Sequence, residues 1–126
     1  MTTRNKKPKM PRPKSIGEET FALHLRSAGI PFEREFRANP DRRWRWDFAF
    51  VLPIGGWIVV DIQGGSFVGG GHNRGEGYQK DIDKHNDAYL NNAIPIWFTT
   101  KDVTSGRALA YMEVILATIT KPEVVD

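Results

Sequence analysis

The first half of the chain changes from a helical to an alternating pattern of apolar residues. Apolar residues recur every three or four positions over 16–28, which predicts a helix with Ser15 and Glu18 as its capping box. Two stretches with a period of two follow and predict strands, one over 32–36 and one that ends at Val51. The second strand is predicted to present four aromatic residues on one face: Trp44, Trp46, Phe48 and Phe50.

The stretch 57–62 is apolar at both parities and predicts a central strand that is covered on both faces. It contains Asp61, and an acid inside a buried strand is costly unless a metal, a proton or a partner compensates its charge. Asp61 and Gln63 are expected on one face and Ile62 on the other. The alternative is that Asp61 starts a turn or caps a backbone group.

The second half of the chain begins with a glycine-rich segment over 64–77 that contains seven glycines. A loop of this length is typical of functional segments. Helical spacing over 77–91, a short apolar run over 94–99 and helical spacing again after Ser105 complete the pattern. The resulting order, α-β-β-β-α-β-α, predicts an α/β fold in which a mixed central sheet is flanked by helices.

Composition divides the chain into a basic arm and one domain. The length of 126 residues fits a single domain, here 15–126. Residues 1–14 contain six basic residues, no acid and three prolines, which predicts a disordered arm that favours a polyanion, or merely improves solubility. Residues 15–126 carry 12 basic and 15 acidic residues, a net charge of −3.

Two absences from the sequence bear on location. The chain has no cysteine, which excludes disulfides and thiolate metal sites. It also has no apolar run of the roughly 20 residues that a membrane span needs, and no signal-peptide pattern. We therefore expect a cytoplasmic protein without a membrane partner.

Two acids stand near the ends of neighbouring predicted strands. Asp47 lies in the aromatic-rich strand and Asp61 lies in the central strand. Two carboxylates on adjacent strand ends that point towards one place form a site for a hard divalent cation.

The order of elements and the position of these acids resemble the PD-(D/E)XK nuclease superfamily. The chain looks especially like the small phage and bacterial endonucleases related to very-short-patch-repair enzymes and Holliday-junction resolvases. The stretches that carry the resemblance are Trp46-Asp47-Phe48, Val60 to Gly65, Gly71 to Gly75 and Asp81 to Asn86. The resemblance covers roughly residues 15–118 and implies a restriction-endonuclease-like core.

The resemblance implies a role for each matching residue. Asp47 and Asp61 would bind Mg²⁺, with Mn²⁺ as a substitute, and would act in phosphodiester hydrolysis. Gln63 stands where the superfamily usually has a lysine, and glutamine cannot supply positive charge. Lys80 or Lys84 of the following helix would replace that lysine, unless both are solvated surface lysines.

Further residues are candidates for the acid site and for DNA contact. Glu18 resembles the acid of the first helix that often completes such a metal site, although its capping role is an equal alternative. His72 is a candidate general base or metal ligand and Arg74 a candidate phosphate clamp, unless both are loop residues without a function. Three arginines are candidates for phosphate contacts: Arg42, Arg43 and Arg45. The adjacent tryptophans are expected in the core, with base stacking as the minor alternative.

Two functions from different classes follow from this pattern. The first is a Mg²⁺-dependent DNA endonuclease, structure-specific or nicking, in phage or mobile-element DNA processing, with a homodimer as one assembly. The second is a catalytically inactive nuclease fold that binds DNA or protein. The retained pair of Asp47 and Asp61 favours the enzyme, and Gln63 favours the binding module.

Overall fold

One four-stranded mixed sheet organises the computed structural model, which describes residues 15–64 and 76–120. In chain order the elements are α1 (Ile16–Ser27), β1 (Glu33–Phe36), β2 (Trp46–Val51), β3 (Trp57–Gln63), α2 (Glu76–Leu90), β4 (Ala93–Thr99), α3 (Thr100–Thr104) and α4 (Arg107–Thr120). The predicted α/β class is therefore confirmed. The short helix α3 is an addition that the sequence pattern did not predict.

The strands lie in the spatial order β1-β2-β3-β4. The pairs β1–β2 and β2–β3 are antiparallel, and β3–β4 is parallel. The meander arises because short loops join the first three strands, while helix α2 provides the crossover that a parallel pair requires. The expectation that 57–62 forms an interior strand is confirmed, since β3 lies between β2 and β4.

Helices cover both faces of the sheet, and a separate hydrophobic cluster lies under each layer. The larger, which we call the α1-side cluster, joins the sheet to α1, α3 and α4 and includes Phe21, Leu25, Phe48, Phe50, Ile58, Val60, Ile62, Phe98, Val103 and Met112. The smaller α2-side cluster contains Trp46, Ala49, Val59, Ala88 and Ala93. The apolar residues of β3 alternate between these clusters, which explains why the strand is apolar at both parities.

Helix α1 begins and ends where its sequence predicts. The Ser15 hydroxyl oxygen accepts a hydrogen bond from the Glu18 backbone N–H at 3.1 Å. At the other end Gly29 has φ +72°, and the Ile30 N–H returns to the Leu25 carbonyl oxygen. Gly17 brings the first turn close to the sheet, since a Cβ there would lie 3.0 Å from Ile62 Cγ2.

The prediction that four aromatic residues share one face of the second strand is wrong. Trp44 precedes β2, which begins at Trp46. Trp46 packs in the α2-side cluster, whereas Phe48 and Phe50 pack in the α1-side cluster. Residues two apart on a regular strand share a face, so the chain must turn over between Trp46 and Phe48. The sequence pattern gives no sign of this irregularity.

Some predictions fall outside the described residues. The basic arm 1–14, most of the glycine-rich segment with His72 and Arg74, and the tail 121–126 all lie there. Within 15–64 and 76–120, none of the helices combines the length and the apolar character that a membrane span requires.

Candidate metal centre

The two predicted acids lie where the ladder between β2 and β3 ends. Regular pairing runs from Val51–Trp57 to Phe48–Val60. At the next position the Asp47 backbone N–H donates to Asp61 Oδ1 at 3.0 Å. The Ile62 backbone N–H donates to Asp47 Oδ2 at 2.8 Å. Side chains thus take the place of ladder carbonyl groups here, and both carboxylates are held between the two strands.

Strand β1 has a matching irregularity at Glu35. Its neighbours Arg34 and Phe36 pair with Phe48 and Trp46, so Glu35 lies opposite Asp47. Glu35 has φ +53°, a left-handed conformation that is uncommon for a residue with a Cβ. Arg34 stacks over the Phe48 ring in the α1-side cluster, while Phe36 packs against the α2-side cluster. Strand β1 therefore turns over at Glu35.

Three carboxylates from three elements converge at this point. Glu18 of α1, Glu35 of β1 and Asp47 of β2 each offer an oxygen, and these oxygens lie within 4.8 Å of one another. Divalent cations bind carboxylate oxygens at about 2.0–2.6 Å, so ligand oxygens around one ion lie up to about 4–5 Å apart. The three acids meet this limit. Their oxygens could therefore hold a hard cation.

Glu18 belongs both to the helix cap and to the acidic cluster. Its backbone N–H donates a hydrogen bond to the Ser15 hydroxyl oxygen, and its carboxylate accepts a hydrogen bond from the same hydroxyl group at 3.3 Å. Arg34 Nη2 lies 3.7 Å from Glu18 Oε1 and 3.0 Å from Glu19 Oε2. The two alternatives for Glu18 are therefore compatible. A cation at the cluster would share Glu18 with the Arg34 guanidinium.

Lys84 of α2 reaches the second acid from the other face of the sheet. Its Nζ lies 2.6 Å from Asp61 Oδ2 and donates to the Arg45 carbonyl oxygen at 2.6 Å. The side chains of Lys84 and Asp61 are only 16% and 15% exposed. The Nζ also lies 4.3 Å from the centre of the Trp46 ring. The alternative of a solvated surface lysine is therefore wrong for Lys84.

Burial and neighbouring charge make Asp47 an unusual acid. Desolvation, the Asp61 carboxylate and, more weakly, the Glu18 carboxylate raise the pKa of Asp47 to about 7. The hydrogen bond from the Ile62 N–H and the Lys84 ammonium oppose this rise. Near neutral pH the Asp47 side chain thus exchanges between its neutral and charged forms, and a bound cation would favour the charged form.

The remaining predicted residues lie at different distances from this centre. Gln63 is half-buried at the end of β3, where its backbone pairs with Thr99 of β4. Lys80 lies one helical turn before Lys84 and is exposed, as expected of a solvated lysine. The three arginines predicted to contact phosphate are exposed on the loop that joins β1 to β2: Arg42, Arg43 and Arg45.

Glu35 is the residue of the acidic cluster that the sequence reasoning missed. The sequence pattern predicts only a polar position of a half-buried strand there. A signal was present, because Glu35 and Asp47 lie equally far from Asp41 in the predicted turn. Antiparallel strands around that turn place the two residues opposite one another. The positive φ of Glu35 has no such signal in the sequence.

Comparisons with protein-family models, curated proteins and solved structures found no match to this chain. Membership of the PD-(D/E)XK superfamily therefore stays a prediction that depends on the residues themselves.

Proposed function

We propose that this protein is a metal-dependent DNA endonuclease that hydrolyses phosphodiester bonds. The observation that carries the proposal is the convergence of oxygens of Glu18, Glu35 and Asp47 within 4.8 Å, beside the half-buried pair of Asp61 and Lys84. Carboxylate oxygens together with a desolvated lysine are a donor set suited to a divalent cation and a phosphate.

The acidic residues would hold Mg²⁺, or Mn²⁺ in its place. Such an ion polarises a phosphoryl oxygen and lowers the pKa of a water molecule. Asp47 is the central ligand, because burial and the neighbouring acids disfavour its charged form until a cation compensates them. Asp61 accepts the Asp47 N–H and so orients the strand that carries this ligand. Asp61 also binds the ion only where the cation displaces the Lys84 ammonium group from the Asp61 carboxylate.

Lys84 supplies the positive charge that Gln63 cannot. It lies on the helix that follows the glycine-rich segment, and its ammonium group is in contact with Asp61. If the Lys84 ammonium group separated from the Asp61 carboxylate, it would be free to contact a phosphate oxygen. This contact would form in a poorly solvated position. Gln63 is assigned a weaker role in orienting a water molecule through its amide.

The wider setting of the proposal comes from the sequence. The element order and the acids resemble the restriction-endonuclease-like core of the PD-(D/E)XK superfamily, with phage or mobile-element DNA processing as the implied context. The cytoplasmic location, the DNA contacts of the arm 1–14 and a homodimeric assembly belong to the same proposal.

The second candidate is an inactive nuclease fold that binds DNA or protein. One observation favours it: Asp47 and Asp61 already accept backbone N–H groups at 2.8 and 3.0 Å, and Lys84 neutralises Asp61. In this alternative the acids only join the ends of β2 and β3. The glutamine at position 63, where the superfamily usually has a lysine, would then belong to a site without activity.

A cleavage screen separates the two candidates. The purified protein would be incubated with supercoiled plasmid, linear duplex, flap and four-way-junction DNA, in Mg²⁺, in Mn²⁺ and in EDTA. The endonuclease requires cleavage of at least one form in the presence of metal and none in EDTA. Binding without cleavage of any form, together with an unchanged melting temperature when metal is added, would establish the inactive fold.

A further inference from the structure

The loop that joins β1 to β2 is an exposed basic segment of the described chain. It runs from 37 to 45 and contains four exposed arginines against the single acid Asp41: Arg37, Arg42, Arg43 and Arg45. It leads directly into Asp47, the central acid of the proposed metal centre. A polyanion bound along this loop would therefore extend to the carboxylates.

Hydrogen bonds anchor the loop at three places. At its start Arg37 Nε donates to the Arg42 carbonyl oxygen at 3.1 Å. In the middle, Asn39 Nδ2 donates to both carboxylate oxygens of Asp87 on α2, at 2.9 and 3.2 Å. At its end Lys84 Nζ donates to the Arg45 carbonyl oxygen. The arginines are thus carried by a preorganised backbone, which lowers the entropy that a ligand must overcome.

Trp44 is the feature of this loop that core packing does not explain. It belongs to neither hydrophobic cluster of the described chain, whereas Trp46 is only 2% exposed and Trp57 packs against Phe36. The Arg42 guanidinium carbon lies 4.7 Å from the centre of the Trp44 ring. Trp44 itself is half-buried, so the expectation that both tryptophans belong to the core is confirmed for Trp46, while Trp44 lies outside both clusters.

We propose that the 37–45 loop binds single-stranded DNA, with Trp44 and Arg42 as a stacking platform for an unpaired base and the neighbouring arginines on the phosphates. The proposal rests on the proposed function for the identity of the partner. It adds the class of substrate: DNA with an unpaired segment next to the bond to be cut, such as a flap, a junction arm or a frayed end.

The choice of unpaired DNA follows from the chemistry of the platform. An indole ring and a guanidinium plane bind the flat face of a base, and that face is accessible only when the base has left the stack of a duplex. Arginine contacts to phosphate are common to both forms of DNA and do not distinguish them. The loop arginines therefore supply affinity, and Trp44 supplies the preference for single strands.

Equilibrium binding without metal tests this proposal independently of cleavage. Fluorescence anisotropy in EDTA would compare a labelled 20-nucleotide oligo(dT) with a blunt duplex of equal length, for the wild type and for Trp44→Ala, Trp44→Phe, Arg42→Ala and Arg43→Ala. The matched controls are Tyr111→Ala and Arg107→Ala. These two exposed residues form another stacked pair on α4, at the other face of the sheet, with the Arg107 guanidinium carbon 5.5 Å from the centre of the Tyr111 ring. Circular dichroism melts would verify that each variant is folded.

The wild type is expected to bind the single strand more tightly than the duplex. Trp44→Ala should weaken single-strand binding by roughly 5- to 150-fold, the range for loss of one stacked base, and change duplex binding by less than about twofold. Trp44→Phe should retain part of the preference. Arg43→Ala should weaken both forms and reduce the steepness of their salt dependence. Both control variants should bind as the wild type does.

Three results would overturn the proposal: tighter binding of the duplex by the wild type, equal weakening of both DNA forms by Trp44→Ala, or equal losses in the Tyr111→Ala control. If Trp44→Ala does not fold, the wild-type preference and the Trp44→Phe variant decide the matter. A preference for single strands without cleavage in Mg²⁺ or Mn²⁺ would support the loop as a binding site and refute only the nuclease.

Discussion

Glu35 of β1 lies opposite Asp47 of β2, at the position where both strands turn over from one face of the sheet to the other. In a regular antiparallel pair, side chains alternate between the two faces of the sheet along each strand, and Glu35 and Asp47 would take the face opposite to that of their neighbours on both sides. The turn instead brings both carboxylates towards Glu18 at the first turn of α1. The irregular strands are thus the means by which the fold assembles three acids, and backbone strain at Glu35 is its cost.

Replacing Glu35 by asparagine should stabilise the metal-free protein while it weakens cation binding. Asparagine tolerates a positive φ better than glutamate, and the change removes one of several neighbouring negative charges. We expect a gain of about 0.5–1 kcal/mol in the free energy of unfolding. The rise in melting temperature with Mn²⁺ should become smaller. Urea denaturation with and without Mn²⁺ measures both effects.

Glu33→Asn is the matched control for that variant. Glu33 is also an exposed glutamate of β1, but it pairs regularly with Ala49. Its replacement should give no stabilisation, because asparagine is unfavourable in a regular strand. Equal gains in Glu33→Asn and Glu35→Asn would mean that the conformation of Glu35 is not strained.

The stability of the metal-free protein should fall as the pH rises from about 4 to about 7. The pKa of Asp47 is raised from 3.8 to about 7, so over this range the folded protein retains a proton that the unfolded chain has lost. Asp47→Asn keeps an acceptor for the Ile62 N–H and abolishes this loss. The variant should be about 1–2 kcal/mol more stable than the wild type at pH 8, since solvent screening reduces the full effect, and nearly equal at pH 4.

Urea denaturation of the wild type and Asp47→Asn at pH 4, 6 and 8 in EDTA measures this difference. Added Mn²⁺ should stabilise the wild type more at pH 8 than at pH 6, because the cation competes with the proton at Asp47. A constant difference between the two proteins across the three pH values would contradict the raised pKa.

Lys84→Met should destabilise the protein by about 1–3 kcal/mol, because it leaves Asp61 poorly solvated without its partner. The double variant Lys84→Met/Asp61→Asn should recover much of this loss, since both charges are gone. Lys80→Met, on the exposed face of the same helix, should change stability by less than about 0.5 kcal/mol. A double-mutant cycle by chemical denaturation gives the coupling, and additive effects would show that the ion pair contributes nothing.

Gln63→Lys should not increase metal-dependent cleavage. The Lys84 ammonium group already contacts Asp61, so a second lysine near the same acid would compete for it and repel the cation. Single-turnover rates of Gln63→Lys and the wild type would be compared at saturating Mg²⁺. A faster rate in the variant would indicate that Lys84 does not act in place of the usual lysine.

The fold was largely predictable because its strongest signals are local. The two periods of apolar residues, the Ser15 cap and the Gly29 stop identify the principal elements and the mixed sheet, although not the five-residue helix α3. Local pattern cannot report where a strand turns over, since this depends on how both strands pack between two layers of helices. The face of Trp46 was therefore predicted incorrectly.

The site was predictable in part for the same reason. Asp47 and Asp61 stand out as acids in or beside apolar strands, and the structure joins them through the Asp47 N–H. Glu35 resembles any polar residue of an edge strand, and its role depends on pairing across the sheet. Lys84 could be named as a candidate from the sequence. Its partial burial is determined by the packing of α2 on the sheet, which no local pattern encodes.

Single-turnover cleavage by Asp47→Asn tests the central claim most directly, because Asp47 connects every other element of the proposed centre. The rate would be measured on a DNA form that the wild type cuts, in Mg²⁺ and in EDTA, with Glu113→Gln on the exposed part of α4 as the control. The account predicts that Asp47→Asn lowers the rate by more than about 100-fold, that EDTA abolishes cleavage, and that Glu113→Gln leaves the rate unchanged. A wild-type rate in Asp47→Asn, or cleavage that persists in EDTA, would contradict it.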